Sequence, residues 1–509
     1  MINYRLFIAV VLIFNSTLLG QPDRTTCKIN EIKSNLEFLA SNELEGRNAA
    51  SHSEKVASLF IASEMEKYGI KPFGDNGTYL QSFKVISNWY DPSSNLSVLN
   101  EKNEKLFSLP LGEDFAVFRD QPLRQDLFNI PFEIVFAGYG ISAPEFDYDN
   151  YKDLDVTGKV VMFLPGEPYS EDENFFSGSV PSDYSQFIGK VRTALQKGAT
   201  GVIIIPEGEL IDFWYVIQKQ TLEEKMVFQD SVQPSSSEIP PIGLLSENVL
   251  DKFFEGEDFE YAELEEMIQS HQNLPAFKFK KKINFDLIIK YEEKTARNVV
   301  GIIKGNDPVL KNEYVVMGAH FDHVGMMRGV VFNGANDNGS GTVTILEIAR
   351  RLTASKNNKR SVIAALFTGE EVDYLGSEYF IKNFPYPEDI VGDVTVDMCG
   401  RESIDTLFIM GLDKSNVEYE RLIREANSET VNFSLITTEK YFTQSDHNPF
   451  IKRKIPGFFF CDNMITDLHK PSDDSDKINY DKICKTSRLV EEIVYKLANL
   501  DHKLSFAGE

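Results

Sequence analysis

From Asn298 to the end of the chain, short apolar runs alternate with longer segments whose apolar residues recur every three or four positions. The short runs have the composition of strands buried on both faces of a sheet; they are Val299–Ile303, Tyr314–Met317, Ser361–Phe367 and Asp393–Val396. The longer segments predict the helices Thr342–Thr353, Tyr374–Phe384, Asn416–Asn427 and Asp481–Leu500. This alternation predicts an α/β fold, a three-layer α/β/α sandwich with a mostly parallel central sheet.

The first half of the chain begins with helical patterns and then becomes rich in strand patterns. Apolar spacing predicts two helices and then a strand, at Ile29–Ser41, Ser53–Tyr68 and Leu80–Ile86. Farther along, one predicted helix, Tyr184–Gln196, lies among the predicted strands Phe132–Tyr139, Val160–Leu164 and Val202–Ile205. The segment Glu207–Gln272 is acidic and is expected to be irregular. Together these features predict a compact β-rich domain inserted into the α/β domain.

The first twenty residues have the pattern of an export signal. Met1–Arg5 carries one positive charge, and the apolar run Leu6–Phe14 that follows is too short to span a bilayer. We expect cleavage near Gly20 or Gln21, a secreted or periplasmic location, and no membrane insertion after cleavage. The predicted organisation is a signal peptide (1–20), the first part of a catalytic domain (21–129), the inserted domain (130–285) and the rest of the catalytic domain (286–509).

Charge and cysteine content restrict the partners but not the assembly. The chain has 78 acidic and 52 basic residues and a formal net charge of −26, whereas nucleic-acid binding needs clustered Lys and Arg. We therefore expect no nucleic-acid partner. Four cysteines without a CxxC pair are too few for a disulfide scaffold. Cys27 and Cys484 could form a disulfide, free thiols are the equal alternative, and the pairing of Cys399 and Cys461 and the oligomeric state stay open.

Residues with metal-binding chemistry follow the predicted strands of the second half. Sites in open α/β sheets form at the carboxyl ends of the strands, so these side chains are expected to converge. The candidates are His320, Asp337, Glu370, Glu371, Asp397 and His469. Single motifs have simpler explanations, such as a helix cap near Asn338 or a solvated Glu pair at a helix start. However, four of the seven histidines lie between residues 320 and 469, which favours a site.

The chemistry of these residues indicates a pair of metal ions. Asp322 is placed to accept a hydrogen bond from the second ring nitrogen of His320. Asp337 can bridge two cations, and of the adjacent Glu370 and Glu371 one can bind metal while the other takes a proton from water. Imidazole and carboxylate ligands suit zinc, and cobalt or manganese fit the same ligands.

The order and spacing of these motifs resemble the co-catalytic zinc aminopeptidases, a superfamily that includes glutamate carboxypeptidase and the transferrin receptor. The matching stretches are His320–Gly325, Gly334–Gly341, Gly369–Glu371, Val396–Met398, Ser445–His447 and Leu468–Asp473. Leu39–Arg47 and Gly77–Gln81 are similar to the opening segment of this family. Phe136–Gly140 and Gly158–Val161 resemble a protease-associated domain, so the resemblance covers nearly the whole mature chain.

The resemblance implies two zinc ions and a division of labour among the ligands. His320 and Asp397 would bind one ion, Glu371 and His469 the other, and Asp337 would bridge them. A bridging water would attack the scissile carbonyl while the metals polarise it.

The resemblance also implies roles for residues that bind no metal. Glu370 would be the general base that later protonates the leaving amine, and Asp322 would orient His320. Tyr441 is the candidate for stabilising the oxyanion, and Asp446 and His447 are candidates for lining the substrate pocket or for a structural hydrogen-bond role.

The function expected from this resemblance is a secreted aminopeptidase acting on peptides, with three alternatives. A carboxypeptidase or dipeptidase of the same fold is one, and the carboxypeptidase would need Arg residues such as Arg328 or Arg401 to bind a substrate carboxylate. Glutaminyl cyclases use one zinc ion and lack the inserted domain. A receptor-like binding protein would have lost metal ligands, and this chain retains all five.

Overall fold

The computed structural model describes two compact units of this chain. The described residues are 26–118, 125–178, 180–212, 214–231, 240–327, 329–355, 357–412, 417–439, 443–462 and 467–504. One unit comprises Met1–Val85 and Lys294–Glu509, and the other comprises Ile86–Glu293. The predicted signal peptide lies outside the described residues.

The first unit is a mixed α/β structure with a parallel centre. In the order in which they neighbour one another, its strands are Leu80–Tyr90, Ile289–Ile303, Ser361–Phe367, Tyr314–His320, Ile390–Val396, Gly457–Cys461, Thr406–Met410 and Ser434–Thr438. Tyr314–His320 is parallel to both of its neighbours, and Ile390–Val396 is parallel to Gly457–Cys461. Ile289–Ile303 and Thr406–Met410 run antiparallel to this central group. The carboxyl ends of four adjacent strands therefore meet at one edge.

Helices cover both faces of this sheet. They are Ile29–Leu39, His52–Lys67, Gly341–Ser355, Leu375–Asn383, Val417–Thr430, Asn448–Ile451 and Tyr480–Asn499. Alternate residues of a strand face opposite sides. Accordingly, Val315 and Met317 belong to the core beneath the first and last helices, whereas Val316 packs with Phe380 and Phe450. Burial on both faces explains why these strands have continuous apolar sequences.

The strand Ile390–Val396 begins three residues before the predicted start at Asp393. The apolar pattern is interrupted at Gly392, which pairs with Val315 in the parallel ladder. Glycine has no side chain to pack, so it weakens a sequence pattern without breaking the strand. The four predicted helices of this half are each present, with ends that differ by one to three residues.

The second unit contains its own eight-stranded sheet. Its strands, in spatial order, are Lys105–Pro110, Asn95–Leu99, Ala276–Asp286, Pro131–Ala137, Val160–Phe163, Gly201–Ile204, Ile242–Leu245 and Phe115–Val117. The predicted insertion, residues 130–285, lies inside this unit, and the sheet also includes strands that precede residue 130.

The segment Glu207–Gln272 is more regular than the sequence pattern predicts, so that prediction is wrong. It includes the helices Glu209–Asp212, Trp214–Leu222, Leu250–Phe254 and Tyr261–Gln269. The apolar residues of Tyr261–Gln269 recur at helical spacing, with Leu264 buried and Tyr261, Met267 and Ile268 packed against the core of this unit. A capping box between Glu260 and Glu263 stabilises the start of the helix.

A disulfide closes the first unit. Cys27, which precedes the first helix, is bonded to Cys484 in the last helix across 457 residues of sequence. Cys399 and Cys461 are free and buried. None of the helices in the described part of the chain is long and apolar enough to cross a membrane.

Candidate metal centre

The predicted ligands converge at the carboxyl edge of the central strands. His320 is the last residue of its strand, and Asp397 comes directly after the strand Ile390–Val396. Asp337 lies in the turn Ala335–Ser340, which leads into the helix Gly341–Ser355. Glu371 and His469 follow two further strands of the parallel group. The topology therefore brings together residues that are up to 149 positions apart, from 320 to 469.

One group of ligand atoms forms around His320. Its Nε2 lies 3.4 Å from Oδ1 of Asp337 and 3.3 Å from Oδ1 of Asp397. All three side chains are almost completely buried. Ser445 donates a hydrogen bond of 2.7 Å from Oγ to Oδ2 of Asp397 and so leaves Oδ1 directed at His320.

A second group forms around Glu371 and shares Asp337 with the first. Nε2 of His469 lies 2.8 Å from Oε2 of Glu371 and 3.3 Å from Oδ2 of Asp337. Asp337 thus presents Oδ1 to one group and Oδ2 to the other, the arrangement required of a bridging carboxylate. Unlike the ligands of the first group, His469 has a side chain that is 37% exposed, so solvent reaches the site from its side.

The donor set fits a pair of zinc ions. The two groups offer imidazole nitrogens and carboxylate oxygens within 4.8 Å of one another, which are the ligand types that zinc prefers. Burying several carboxylates together is costly unless cations compensate their charge. The three imidazoles of the site cannot by themselves neutralise its four acidic side chains, which are Asp337, Glu370, Glu371 and Asp397.

Glu370 lies beside the ligand groups without belonging to either. Its Oε2 is 3.9 Å from Nε2 of His320. Burial raises the pKa of Glu370 well above its usual range, and the carboxylates of Asp397 and Glu371 raise it further although His320 opposes them. A carboxyl group with a raised pKa at this position is suited to accepting and returning a proton.

The predicted contact of Asp322 with the second ring nitrogen of His320 is made through the backbone carbonyl of Asp322. Nδ1 of His320 lies 3.2 Å from the backbone carbonyl of Asp322 and 3.8 Å from its carboxylate. The carboxylate instead accepts a 3.4 Å hydrogen bond from the amide of Glu370. Because the turn after the strand brings the main chain of residue 322 back to the ring, the carbonyl reaches it first. Asp322 therefore links the His320 and Glu370 loops, and burial raises its pKa to about 7.

The predicted pocket residues are distributed differently. Asp446 and His447 are fully buried, and the His447 ring packs on Phe459 with 4.9 Å between ring centroids. Their complete burial favours the structural role over the lining of an open pocket. Tyr441 and Arg328 lie outside the described residues. Arg401 donates a hydrogen bond of 2.8 Å to Oδ2 of Asp467, so its guanidinium stabilises the loop that carries His469.

Comparison with known proteins identifies the segment that carries all five ligands. Residues 298–494 match the family model described as Peptidase family M28. This part of the chain is similar to peptidase family M28. The resemblance inferred from the sequence motifs is confirmed for this part of the chain.

Curated relatives that match this part of the chain are named as aminopeptidases. Aminopeptidase YwaD of Bacillus subtilis (strain 168) is 28% identical over 224 residues, which cover 42% of this chain and 47% of the relative. Probable leucine aminopeptidase 1 of Trichophyton verrucosum is 26% identical over 219 residues, which cover 40% of this chain and 58% of the relative. The match thus spans about half the length of these relatives.

Solved structures show that the fold extends over almost the whole chain. An aminopeptidase from Aneurinibacillus sp. strain AM-1 superimposes with a TM-score of 0.59 and 19% identity, covering 96% of this chain and 97% of that one. A zinc aminopeptidase from Bacillus subtilis gives a TM-score of 0.54 and 20% identity, with coverages of 95% and 99%. At these identities the likeness concerns the fold.

A buried arginine outside the M28 match joins the loops that carry the ligands. Arg47 is completely buried and donates to the carbonyls of Phe321 (2.7 Å), Asn333 (2.6 Å) and Gly334 (2.9 Å), as well as to that of Leu39. Burial lowers its pKa to about 10, which keeps the guanidinium charged at neutral pH. Sequence motifs gave no role to Arg47, because its partners are backbone carbonyls that any residue supplies.

Asp473 stabilises the turn that carries Asp337, as Arg47 does. Its carboxylate accepts hydrogen bonds of 3.0 Å from the backbone N–H groups of Asn336 and Asp337. It belongs to the loop of His469, so one carboxylate fixes the bridging residue relative to a ligand of the second group. The sequence signal for it was its place at the end of the motif Leu468–Asp473, which gave it no role.

Replacing Arg47 should loosen the metal centre. In Arg47→Met an apolar stem of similar length remains, but four carbonyls each lose a hydrogen bond. The Gly334 carbonyl keeps the N–H of Gly339 as a partner, and each carbonyl left unsatisfied costs about 1–3 kcal/mol. We expect a lower unfolding temperature and about tenfold or more weaker zinc binding, measured by thermal unfolding and zinc titration of the full chain.

Arg351→Met is the matched control. Arg351 is equally buried but contacts Ser487 and Glu491, which carry no ligand loop. It should lose stability and keep its zinc affinity. Equal zinc affinities in the two variants would contradict the role given to Arg47.

Proposed function

We propose that this chain is a secreted two-zinc aminopeptidase that removes N-terminal residues from peptides. The observation that carries the proposal is the shared carboxylate of Asp337, which offers one oxygen to each of two ligand groups while Glu370 lies beside them. The aminopeptidase names of the curated relatives support the choice of activity. The proposed architecture is the three-layer α/β/α sandwich with a protease-associated insertion.

In this proposal the ligands divide as the motifs imply. His320 and Asp397 would hold one zinc ion, Glu371 and His469 would hold the other, and Asp337 would contribute to both positions. Bound zinc supplies Lewis acidity and lowers the pKa of water to about 7. The protein orients the ligand side chains; for example, the hydrogen bond from Ser445 fixes the Asp397 carboxylate.

Glu370 moves the proton in the proposed reaction. Its Oε2 lies 3.9 Å from Nε2 of His320, next to the first group of ligands. The carboxylate accepts a proton from the attacking water and returns it to the nitrogen of the leaving amine. The amide of Glu370 is anchored by the Asp322 carboxylate, which holds the base in register with the His320 loop.

A carboxypeptidase needs a cationic group that is available to a substrate carboxylate. Arg401 donates a hydrogen bond to the carboxylate of Asp467, and Nζ of Lys477 donates to the same carboxylate at 3.0 Å. This pairing weighs against Arg401 as a substrate-binding residue. Retention of all five ligands weighs against a receptor-like protein that binds no metal.

Export is part of the proposal. The N-terminal sequence pattern motivates it, and the Cys27–Cys484 disulfide supports it because such bonds persist in oxidising compartments. We expect N-terminal sequencing of the exported protein to begin near Gln21. A mature protein that starts at Met1 would contradict cleavage.

Glu370→Gln should separate catalysis from metal binding. The amide keeps the shape of the side chain but cannot accept the proton, so kcat should fall by about 10²–10⁴-fold while two zinc ions remain bound. The measurements are hydrolysis of an amino-acid anilide and zinc content. Glu378→Gln, which alters a half-exposed ion pair with Arg453, should retain activity. Near-normal turnover in Glu370→Gln would refute the mechanism.

Blocking the substrate amine tests the direction of attack. An aminopeptidase requires a free α-amine, so an N-acetylated peptide should resist hydrolysis while its unblocked counterpart is shortened from the N-terminus. Mass spectrometry of the products gives the order of release, and a chelator should stop the reaction. Release of C-terminal residues from the acetylated peptide would favour the carboxypeptidase alternative.

A further inference from the structure

His323 lies inside the metal centre, but the five-ligand arrangement gives it no role. Its side chain is completely buried, and its Nδ1 is 2.8 Å from Oε1 of Glu371. The same nitrogen is 3.6 Å from Oδ2 of Asp337. The site therefore contains a third imidazole in contact with a ligand carboxylate.

The two oxygens of Glu371 are divided between two histidines. Oε1 is closest to Nδ1 of His323, whereas Oε2 is closest to Nε2 of His469, also at 2.8 Å. A carboxylate that accepts a hydrogen bond on one oxygen is oriented to offer the other. Glu371 therefore directs Oε2 toward the ligand nitrogen of His469.

The second nitrogen of His323 indicates how the ring is protonated. Nε2 is buried and has no hydrogen-bond partner among the described residues. If Nδ1 ligated a metal, the proton of the neutral ring would lie on Nε2, and an N–H group would be buried without an acceptor. By contrast, His320 has its second nitrogen paired with the carbonyl of Asp322, as metal-binding histidines normally do.

We propose that His323 is a positioning residue that donates a hydrogen bond from Nδ1 to Oε1 of Glu371. The bond leaves Oε2 as the single oxygen of Glu371 that holds zinc beside His469. This inference rests on the proposed two-zinc function and deepens it, because it predicts that His323 controls the affinity of one zinc position and not of the other.

The chain makes room for this ring at a particular position. Gly334 has φ +57°, and a Cβ there would collide with the His323 imidazole. On another side the ring lies edge-on to His469, with 5.5 Å between ring centroids. Confinement by Gly334 and His469 keeps Nδ1 aimed at Glu371.

The test compares His323→Ala with His323→Asn in the full chain. The side-chain amide of asparagine places an N–H group near the position of Nδ1, so Asn restores the donor without restoring an imidazole. Zinc affinities are measured by titration against a competing chelator. The surface residue His502, which contacts the carboxylates of Asp501 and Glu418, provides the matched control His502→Ala.

We expect His323→Ala to bind one of its two zinc ions about 10–100-fold more weakly, with the other affinity unchanged. His323→Asn should be within a few-fold of wild type at both positions, as should His502→Ala. Thermal unfolding in the presence of chelator verifies that each variant is folded, and the Asn variant carries the test if the Ala variant is not.

Two results would overturn the inference. Unchanged zinc affinities in His323→Ala would remove the positioning role, and a loss in His323→Asn as large as in His323→Ala would indicate that the ring is a ligand. A wild-type chain that binds fewer than two zinc ions would instead refute the proposed function, on which the inference depends.

Discussion

The bridging position of Asp337 is the constraint on which the rest of the site depends. One carboxylate must offer Oδ1 to the group of His320 and Oδ2 to the group of His469, so its backbone must be fixed from several directions. Asp473 holds the N–H of Asp337, and Arg47 holds the carbonyls three and four residues before it. Asn338 donates to the carbonyl of Val396 and thereby ties the turn to the strand that ends at Asp397.

This restraint has an electrostatic reason. The centre gathers acidic side chains in an interior from which water is largely excluded, and like charges at such distances repel strongly. Arg47 contributes a buried positive charge that attracts Asp322, Asp473 and Asp337. A single guanidinium does not balance the negative charge of these acidic side chains. The site is therefore most stable with cations bound. The chain as a whole, at a net charge of −26, provides no compensating surplus.

The convergence of the candidate ligands could be predicted from the sequence, whereas the residues that support them could not. Continuous apolar strands indicate a parallel sheet, and parallel strands gather the residues after them at one edge; that reasoning is enough to bring His320 and Asp397 together. Arg47, Asp473 and His323 act through backbone groups or through contacts that depend on side-chain packing. Backbone carbonyls and N–H groups have no residue signature, so only the folded structure reveals these contacts.

The adjacent residues Glu370 and Glu371 show how the fold assigns different chemistry to identical side chains. Burial raises the pKa of both, but His469 and His323 outweigh it at Glu371 and hold its pKa well below the usual range. Glu370 has no such pair of imidazoles, and its pKa is well above the usual range. Carboxyl groups whose environments move their pKa values apart take different roles. After Phe367 the chain turns so that Glu371 points at His323 and His469, whereas Glu370 does not. This difference in direction supports the proposed roles of Glu371 as a ligand and Glu370 as a base.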